Sequence, residues 1–110
     1  MRGMLENLTV IEITNNIAGP GCAAMLADHG AEVIHVEKPI FGDDCRHFFP
    51  TIGKDSASHF YANRNKKSVV LDLKDPVGAR VIKKLAETAD ILIESNRPGV
   101  MDRLGLGYDV

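Results

Sequence analysis

The fold class is decided by residues 30–39, GAEVIHVEKP. Their centre, Val33 to Val36, is rich in β-branched and apolar residues and predicts a strand. Gly30 suits the end of a preceding helix, because the residue that closes a helix often needs a positive φ. Pro39 has no N–H to donate to a neighbouring strand and predicts where the strand ends. A helix followed directly by a strand is typical of α/β folds.

The same alternation continues on both sides of this stretch. Upstream, residues 8–14 predict a strand, and Pro20 fits the first turn of the following helix, where a missing N–H has no intrahelical partner to lose. We expect Cys22, Met25 and Leu26 to form the apolar stripe of that helix.

Downstream, the pattern predicts a second strand–helix–strand unit. Its elements are a strand over residues 68–73, a helix with Asp75 as N-cap and Pro76 as N1, a strand over residues 91–93, and a short helix over residues 98–104 closed by Gly105. Val77, Val81 and Leu85 lie four residues apart and predict the buried face of the longer helix.

Two strand–helix–strand units predict an α/β fold with a parallel, Rossmann-like sheet, right-handed crossovers and flanking helices. A central parallel sheet needs helices on both faces, and only two full helices are predicted. We therefore expect some sheet surface to stay uncovered unless another segment or chain covers it. Residues 40–64 show no periodicity and predict a long loop, of the kind that is usually functional.

Size and charge exclude several classes of protein. The chain has 110 residues, which is one domain at most. Its formal net charge of −2 creates no field that attracts nucleic acid or an anionic membrane. No apolar run approaches the roughly 18 residues of a membrane span, and no apolar signal core follows Arg2. We therefore predict a cytoplasmic protein without a nucleic-acid or membrane partner.

The cysteines and histidines predict neither a disulfide framework nor a metal site. Cys22 and Cys45 are two isolated cysteines, which we interpret as reduced thiols, Cys22 being a small packing residue. The four histidines and the two cysteines show no paired ligand spacing.

A glycine-rich turn suggests a dinucleotide site as one alternative. Residues 19–24 fit the pattern G-x-G-x-x-A, and Glu37 ends the next strand, as a ribose-binding acid would. Two features count against this interpretation. Residues 15–18 separate the strand from the glycines, and Pro20 removes a backbone donor from the loop that would hold a pyrophosphate. A tight strand-to-helix turn explains the glycines equally well.

Four phrases in one order carry a family resemblance: AGP at 18–20, GAEVIHVEKP at 30–39, NKKSVVLDLK at 65–74 and RPGVMDRLG at 97–105. At these separations they resemble the N-terminal part of the class III CoA-transferases, the family of formyl-CoA transferase, carnitine CoA-transferase and alpha-methylacyl-CoA racemase. The resemblance is collinear from about Leu5 to Val110. It implies that residues 1–110 are an incomplete portion of a larger CoA-transferase domain.

The resemblance also implies which residues contact ligands. The CoA-binding positions it implies are Asn16, Ala18, Lys38, Leu71, Lys74, Ser95, Asn96, Val100 and Arg103, with Asp72 beside them. It places Asn15 and Ile17 opposite the carboxylate substrate, and Ile17 would suit a less polar acyl group. Local reasoning agrees for Lys38 and Lys74, which follow strand ends, where ligands of open α/β sheets bind.

The activity that the resemblance implies is transfer of CoA from an acyl-CoA to a carboxylic acid through an aspartyl intermediate, in an interlocked homodimer. The substrates are CoA thioesters, and no cofactor is permanently bound. The nucleophilic aspartate of the family lies beyond residue 110, so we expect no catalytic residue in this chain and no turnover from it alone. The alternatives are part of an acyl-CoA racemase, a non-catalytic remnant that assembles with a separate partner, and the dinucleotide-binding module.

Overall fold

The protein is built on a parallel sheet with helices on both sides, and its computed structural model describes residues 3–110. In chain order the elements are β1 (Thr9–Ile13), α1 (Ala18–Asp28), β2 (Glu32–Glu37), a 3₁₀ turn (Asp44–His47), β3 (Thr51–Ile52), β4 (Asp55–Ser56), α2 (Ala57–Ala62), β5 (Lys67–Val70), α3 (Pro76–Ala86), β6 (Ile91–Glu94) and α4 (Val100–Arg103).

The central sheet has the strand order β5-β2-β1-β6, and every neighbouring pair is parallel. Val10 of β1 lies opposite Val33 of β2 on one side and Ile91 of β6 on the other. The predicted α/β class with a parallel sheet and flanking helices is therefore confirmed. β3 and β4 form a separate two-stranded antiparallel ribbon.

One face of the sheet packs against α3 through apolar side chains. Ile11, Ile13 and Val36 form a buried cluster with Ile82 of α3. Asp75 caps α3 by accepting a hydrogen bond from the Val77 N–H, as predicted, and Pro76 occupies the first turn. The buried face is centred on Ile82, and Leu85 packs beside it as predicted. The predicted Val77 and Val81 are wrong, since they are 56% and 36% exposed.

The opposite face packs against α1 and is apolar in its first half. Val10 and Val33 contact Ala23 and Ala27 of this helix. Side chains alternate along a strand, so Glu12 and His35, two residues further on, face the same side. They are 0% and 1% exposed. The second half of this face is therefore buried but charged.

The structure corrects two expectations, one about the inward face of α1 and one about residues 40–64. α1 turns its alanines inward and leaves Cys22 and Met25 exposed, so the predicted apolar stripe is wrong for these two residues, whereas Leu26 packs against the core as predicted. Small side chains let the helix lie close to the sheet. A helix packs on each face of the sheet, but Val70 and Leu92 on the edge strands are 58% and 44% exposed, so part of the sheet surface is uncovered in the described residues, as predicted.

The second correction concerns residues 40–64, which are not a plain loop. They contain the 3₁₀ turn, the β3–β4 ribbon and α2. Cys45, Ser56 and Ala62 are fully buried inside this segment, which explains why it holds its shape. Its elements are only two to six residues long, too short for a helical or strand period to be recognised in the sequence.

Candidate functional site

A cleft of about 320 Å³ opens at the carboxyl ends of the four parallel strands. It is lined by residues at the ends of β1, β2, β5 and β6 and in the connections that follow them. Val100 of α4 and Leu104, which follows α4, complete the lining. Ligands of open α/β sheets bind at this edge, where successive connections diverge to opposite faces.

The cleft brings together most of the positions singled out in the sequence. Those that line it are Asn15, Lys38, Leu71, Asp72, Lys74, Ser95, Asn96 and Val100. Arg103 lies in an adjoining groove that shares Lys74 with the cleft. Asn16, Ile17 and Ala18 do not line either space. Lys38 and Lys74, which both follow strand ends, thus lie at the same edge of the sheet.

The cleft has an apolar floor and a polar rim. Ile13, Val36 and Leu71 belong to the floor, because they continue the apolar cluster under α3. Lys38 and Lys74 are exposed on the rim and carry its positive charge. Such a surface suits a ligand with an anionic head and a less polar arm.

Asp44 connects two of the rim residues. Its backbone N–H donates to Asn15 Oδ1 at 2.8 Å, and its Oδ2 accepts from Asn15 Nδ2 at 2.5 Å. Its other carboxylate oxygen, Oδ1, forms an ion pair with Lys38 Nζ. Hydrogen bonding to Lys38 and then to Asn15 lowers the pKa of the Asp44 carboxyl.

Asp43, the preceding residue, is 3% exposed and fixes the backbone after β1. Its Oδ1 accepts from the Asn16 N–H at 3.0 Å. Asn16 has a φ of 69°, in the left-handed region that asparagine tolerates better than most residues. The Asp43 N–H in turn donates to Glu37 Oε2 at 2.8 Å. Asp43 therefore links the turn after β1 to the end of β2.

A buried ionic cluster lies beneath these contacts. His35 Nδ1 is 3.1 Å from Glu12 Oε2, and His35 Nε2 is 3.1 Å from Asp43 Oδ2. Lys66 Nζ is 2.8 Å from Glu12 Oε2 and donates to the Pro20 carbonyl, also at 2.8 Å. The Lys66 side chain is only 2% exposed. The cluster joins β1, β2, α1 and the residues before β5.

The ionisation of the cluster follows from these contacts. Burial disfavours a charge on His35, but the carboxylates of Asp43 and Glu12 prevail and raise its pKa to about 9. Burial would raise the pKa of Glu12, yet contact with His35 and Lys66 keeps it below its ordinary value. Asp43 behaves in the same way, with His35 as its main partner. All three groups are therefore charged at neutral pH.

Glu37, the acid of the dinucleotide alternative, already has partners. Arg46 donates to both of its carboxylate oxygens at 2.7 and 2.6 Å, and Ser68 Oγ donates to Oε1 at 2.7 Å. Hydrogen bonding to Arg46 is the main cause of a pKa lowered to about 2. Glu37 lines the cleft, but both of its carboxylate oxygens are already bound by Arg46, Ser68 and the Asp43 N–H, which counts against a role in holding a ribose.

The glycines of that alternative also have other roles. α1 begins at Ala18, so Gly19 and Gly21 lie inside its first turn rather than in a loop before it. A Cβ on Gly19 would collide with the Thr14 side chain, whereas a Cβ on Gly21 would meet nothing within 4 Å. Gly19 is therefore required by helix–strand packing.

Sequence reasoning missed the residues that hold the site together: Glu12, His35, Asp43, Asp44 and Lys66. One signal was available. Glu12 and His35 interrupt apolar strands of a parallel sheet that is expected to be covered on both faces. Such residues must have charged or hydrogen-bonding partners, because burying a lone charge is very costly. The partners could not be named, since Asp43 and Asp44 lie in the segment without periodicity.

The cysteines take no part in the cleft. Burial and the neighbouring Asp43 raise the pKa of the Cys45 thiol to about 12, so it stays protonated. Among residues 3–110 no three His, Cys, Asp or Glu side chains are grouped so as to hold a metal ion. Within the same residues, no helix has the length and apolar character needed to cross a membrane.

Comparison with known proteins identifies the family. The model for CoA-transferase family III matches residues 5–110. The chain belongs to this family. It is 42% identical over 106 residues to human succinyl-CoA:glutarate CoA-transferase, and 45% identical over 107 residues to the succinyl-CoA–L-malate CoA-transferase beta subunit of Chloroflexus aurantiacus. These matches cover 96% of the chain but 24% and 26% of the relatives, so it spans about a quarter of their length.

Solved structures agree with this assignment to the CoA-transferase family. A CAIB/BAIF family protein from Brucella suis superposes with a TM-score of 0.92 at 33% identity, covering 99% of this chain and 30% of that one. A hypothetical protein from Mycobacterium tuberculosis superposes with a TM-score of 0.88 at 39% identity, covering 97% of this chain and 29% of that one.

Proposed function

We propose that the cleft is part of a CoA-binding surface and that the whole enzyme moves CoA from an acyl-CoA to a carboxylic acid. The observation that carries this proposal is the convergence of Lys38, Lys74, Ser95 and Asn96 on one strand edge, in a chain of the CoA-transferase family.

Each part of the cleft has a role in this proposal. The ammonium groups of Lys38 and Lys74, with Arg103 in the adjoining groove, attract the phosphates of the nucleotide. The apolar floor around Leu71 and Val100 accepts the less polar arm that ends in the thioester. Asn15 donates to an oxygen of the acyl group or of the acceptor acid.

The covalent chemistry needs a group from outside this chain. An aspartate carboxylate attacks the acyl-CoA carbonyl, the C–S bond breaks, and CoA leaves as a thiolate with an acyl-aspartyl anhydride behind it. The thiolate then attacks the aspartyl carbonyl and expels the first acid, giving an aspartyl-CoA thioester. The carboxylate of the second acid attacks this thioester and releases the thiolate, and the thiolate attacks the acyl carbonyl of the new anhydride, which gives the new acyl-CoA and frees the aspartate. We propose that this aspartate lies outside residues 1–110, in a homodimeric enzyme, and that this chain only binds and orients.

The relatives suggest the class of acid. Those cited above are named for succinyl-CoA with glutarate or malate, and another, 41% identical, is an acetyl-CoA:oxalate CoA-transferase. Most of these acids carry two carboxylates. We propose a dicarboxylic acid for this protein, because the relatives are named for such acids and the Asn15 amide on the rim provides a donor for a carboxylate. This replaces the less polar acyl group expected from Ile17, which does not line the cleft.

Titration of the chain with CoA and, separately, with NAD tests the binding role. We expect CoA to bind and NAD not to bind, and we expect Lys74→Ala to weaken CoA binding while Lys84→Ala, on the outer part of α3, leaves it unchanged. NAD binding without CoA binding would reject the proposal and favour the dinucleotide alternative. Incubation with succinyl-CoA and glutarate should give no turnover from this chain alone.

A further inference from the structure

Asp44 lies behind the rim of the cleft, where it contacts the lining residues Lys38 and Asn15, and it is an acid beside a proposed anion site. Its carboxylate uses one oxygen for Lys38 Nζ and the other for Asn15 Nδ2. Since a single carboxylate contacts both groups, the Lys38 ammonium and the Asn15 amide lie at adjacent positions on the rim.

The pairing between Asp44 and Asn15 is reciprocal. The Asp44 N–H fixes Asn15 Oδ1, and the Asp44 carboxylate fixes Asn15 Nδ2, so the amide cannot turn over without losing both hydrogen bonds. This leaves the second N–H of Nδ2 as a donor whose orientation is set. Asp44 itself is anchored through Asp43, whose contacts with His35 and Asn16 fix the backbone on both sides.

We propose that Asp44 is a positioning residue that holds the Asn15 amide beside the Lys38 ammonium, so that the two together bind one anionic oxygen group of the ligand, a phosphate or a carboxylate. This proposal rests on the proposed function, since it concerns the same cleft. Asp44 does not touch the ligand in this account. It acts through Asn15, and its own negative charge opposes anion binding.

Two substitutions separate the positioning role from the charge. Asp44→Asn and Asp44→Ala remove the same charge, but the Asn side chain still has an oxygen that can accept from Asn15 Nδ2. The Lys38 side chain is 50% exposed and is solvated by water in either variant. A difference in ligand affinity between the two variants that is lost when Asn15 is replaced therefore reports the orientation of the Asn15 amide.

We expect Asp44→Ala to bind CoA or glutarate about fivefold more weakly than Asp44→Asn, the effect of losing roughly one hydrogen bond. In an Asn15→Ala background the difference should disappear. Asp109→Asn, an exposed charge change outside the cleft lining, should bind like the wild type. An effect seen with CoA but not with pantetheine identifies a phosphate as the anion, and one seen with glutarate identifies a carboxylate.

The outcomes keep this inference apart from the proposed function. If the wild type binds neither CoA nor glutarate, both fail. If it binds and the two Asp44 variants are equal, or still differ without Asn15, Asp44 is not a positioning residue, whereas the proposed function stands. If Asp44→Ala does not fold, the side-chain amide resonance of Asn15 in the wild type tests whether this amide contacts the ligand. We expect the resonance to shift when CoA or glutarate is added, and an unchanged resonance overturns the inference.

Discussion

The face of the sheet under α3 and the second half of the face under α1 are equally buried but filled in different ways. Under α3, Ile11, Val36 and Ile82 form an apolar core. Under α1, Glu12 and His35 belong to an ionic cluster. Burial of apolar area stabilises without regard to direction, whereas each contact of the ionic cluster fixes a particular atom. The apolar face holds the sheet together, and the charged half positions the turns around the cleft.

The largest effect should come from breaking the charged half. Lys66→Met leaves Glu12 buried with less compensation and removes one donor from the Pro20 carbonyl, so we expect unfolding to become easier by about 3–5 kcal/mol. The adjacent Lys67→Met is the control, because Lys67 is 70% exposed and its pair with Glu32 is worth under about 1 kcal/mol. Urea denaturation measures both. A Lys66→Met loss of stability as small as that of Lys67→Met would show that the cluster does not stabilise the fold.

A slightly smaller loss is expected from the apolar face. Ile82 is 1% exposed, and Ile82→Ala should lower the free energy of unfolding by about 3 kcal/mol through lost burial and a cavity. Val77→Ala on the same helix is the control, since Val77 is 56% exposed and should change stability by less than about 1 kcal/mol. If Val77→Ala cost as much as Ile82→Ala, the packing of α3 described above would be incorrect.

The charged half should also respond to pH in a way that the apolar face cannot. The pKa of His35 is raised from 6.5 to about 9. Its stabilising contribution is therefore complete below pH 6.5 and is lost as the pH rises through 9, at a cost on the order of 2–3 kcal/mol. Denaturation at pH 6 and at pH 9.5 measures this loss. His35→Asn should flatten the profile, and a variant with an unchanged slope would exclude His35 as the cause.

The smallest expected effect compares two glycines of α1. Gly19→Ala collides with Thr14 and should destabilise by about 1–2 kcal/mol. Gly21→Ala has open space in a helix and should stabilise by about 0.5–1 kcal/mol. Thermal denaturation distinguishes the two signs. If Gly21→Ala instead lost both stability and CoA binding, the result would indicate that the glycines contact a ligand.

Features that depend on local sequence patterns could be predicted, whereas the polar pairings between distant residues could not. The four strands, the cap at Asp75 and the shared edge of Lys38 and Lys74 followed from alternation, capping and the geometry of parallel strands. The inward face of α1 did not, because alanines give a weak apolar signal beside Cys22 and Met25. The connections of Asp43 and Asp44 did not either. They depend on pairings such as Asn15 with Asp44, which are 29 residues apart and arise from very short elements.

The place of CoA binding is tested most directly by the map of amide resonances that shift when CoA is added to the isotopically labelled chain. We predict that the shifts cluster at the carboxyl ends of the strands, around Lys38, Lys74, Ser95 and Asn96, and spare the opposite edge around Leu8 and Ala31. Shifts confined to that opposite edge, or none at all at saturating CoA, would contradict the assignment of the cleft.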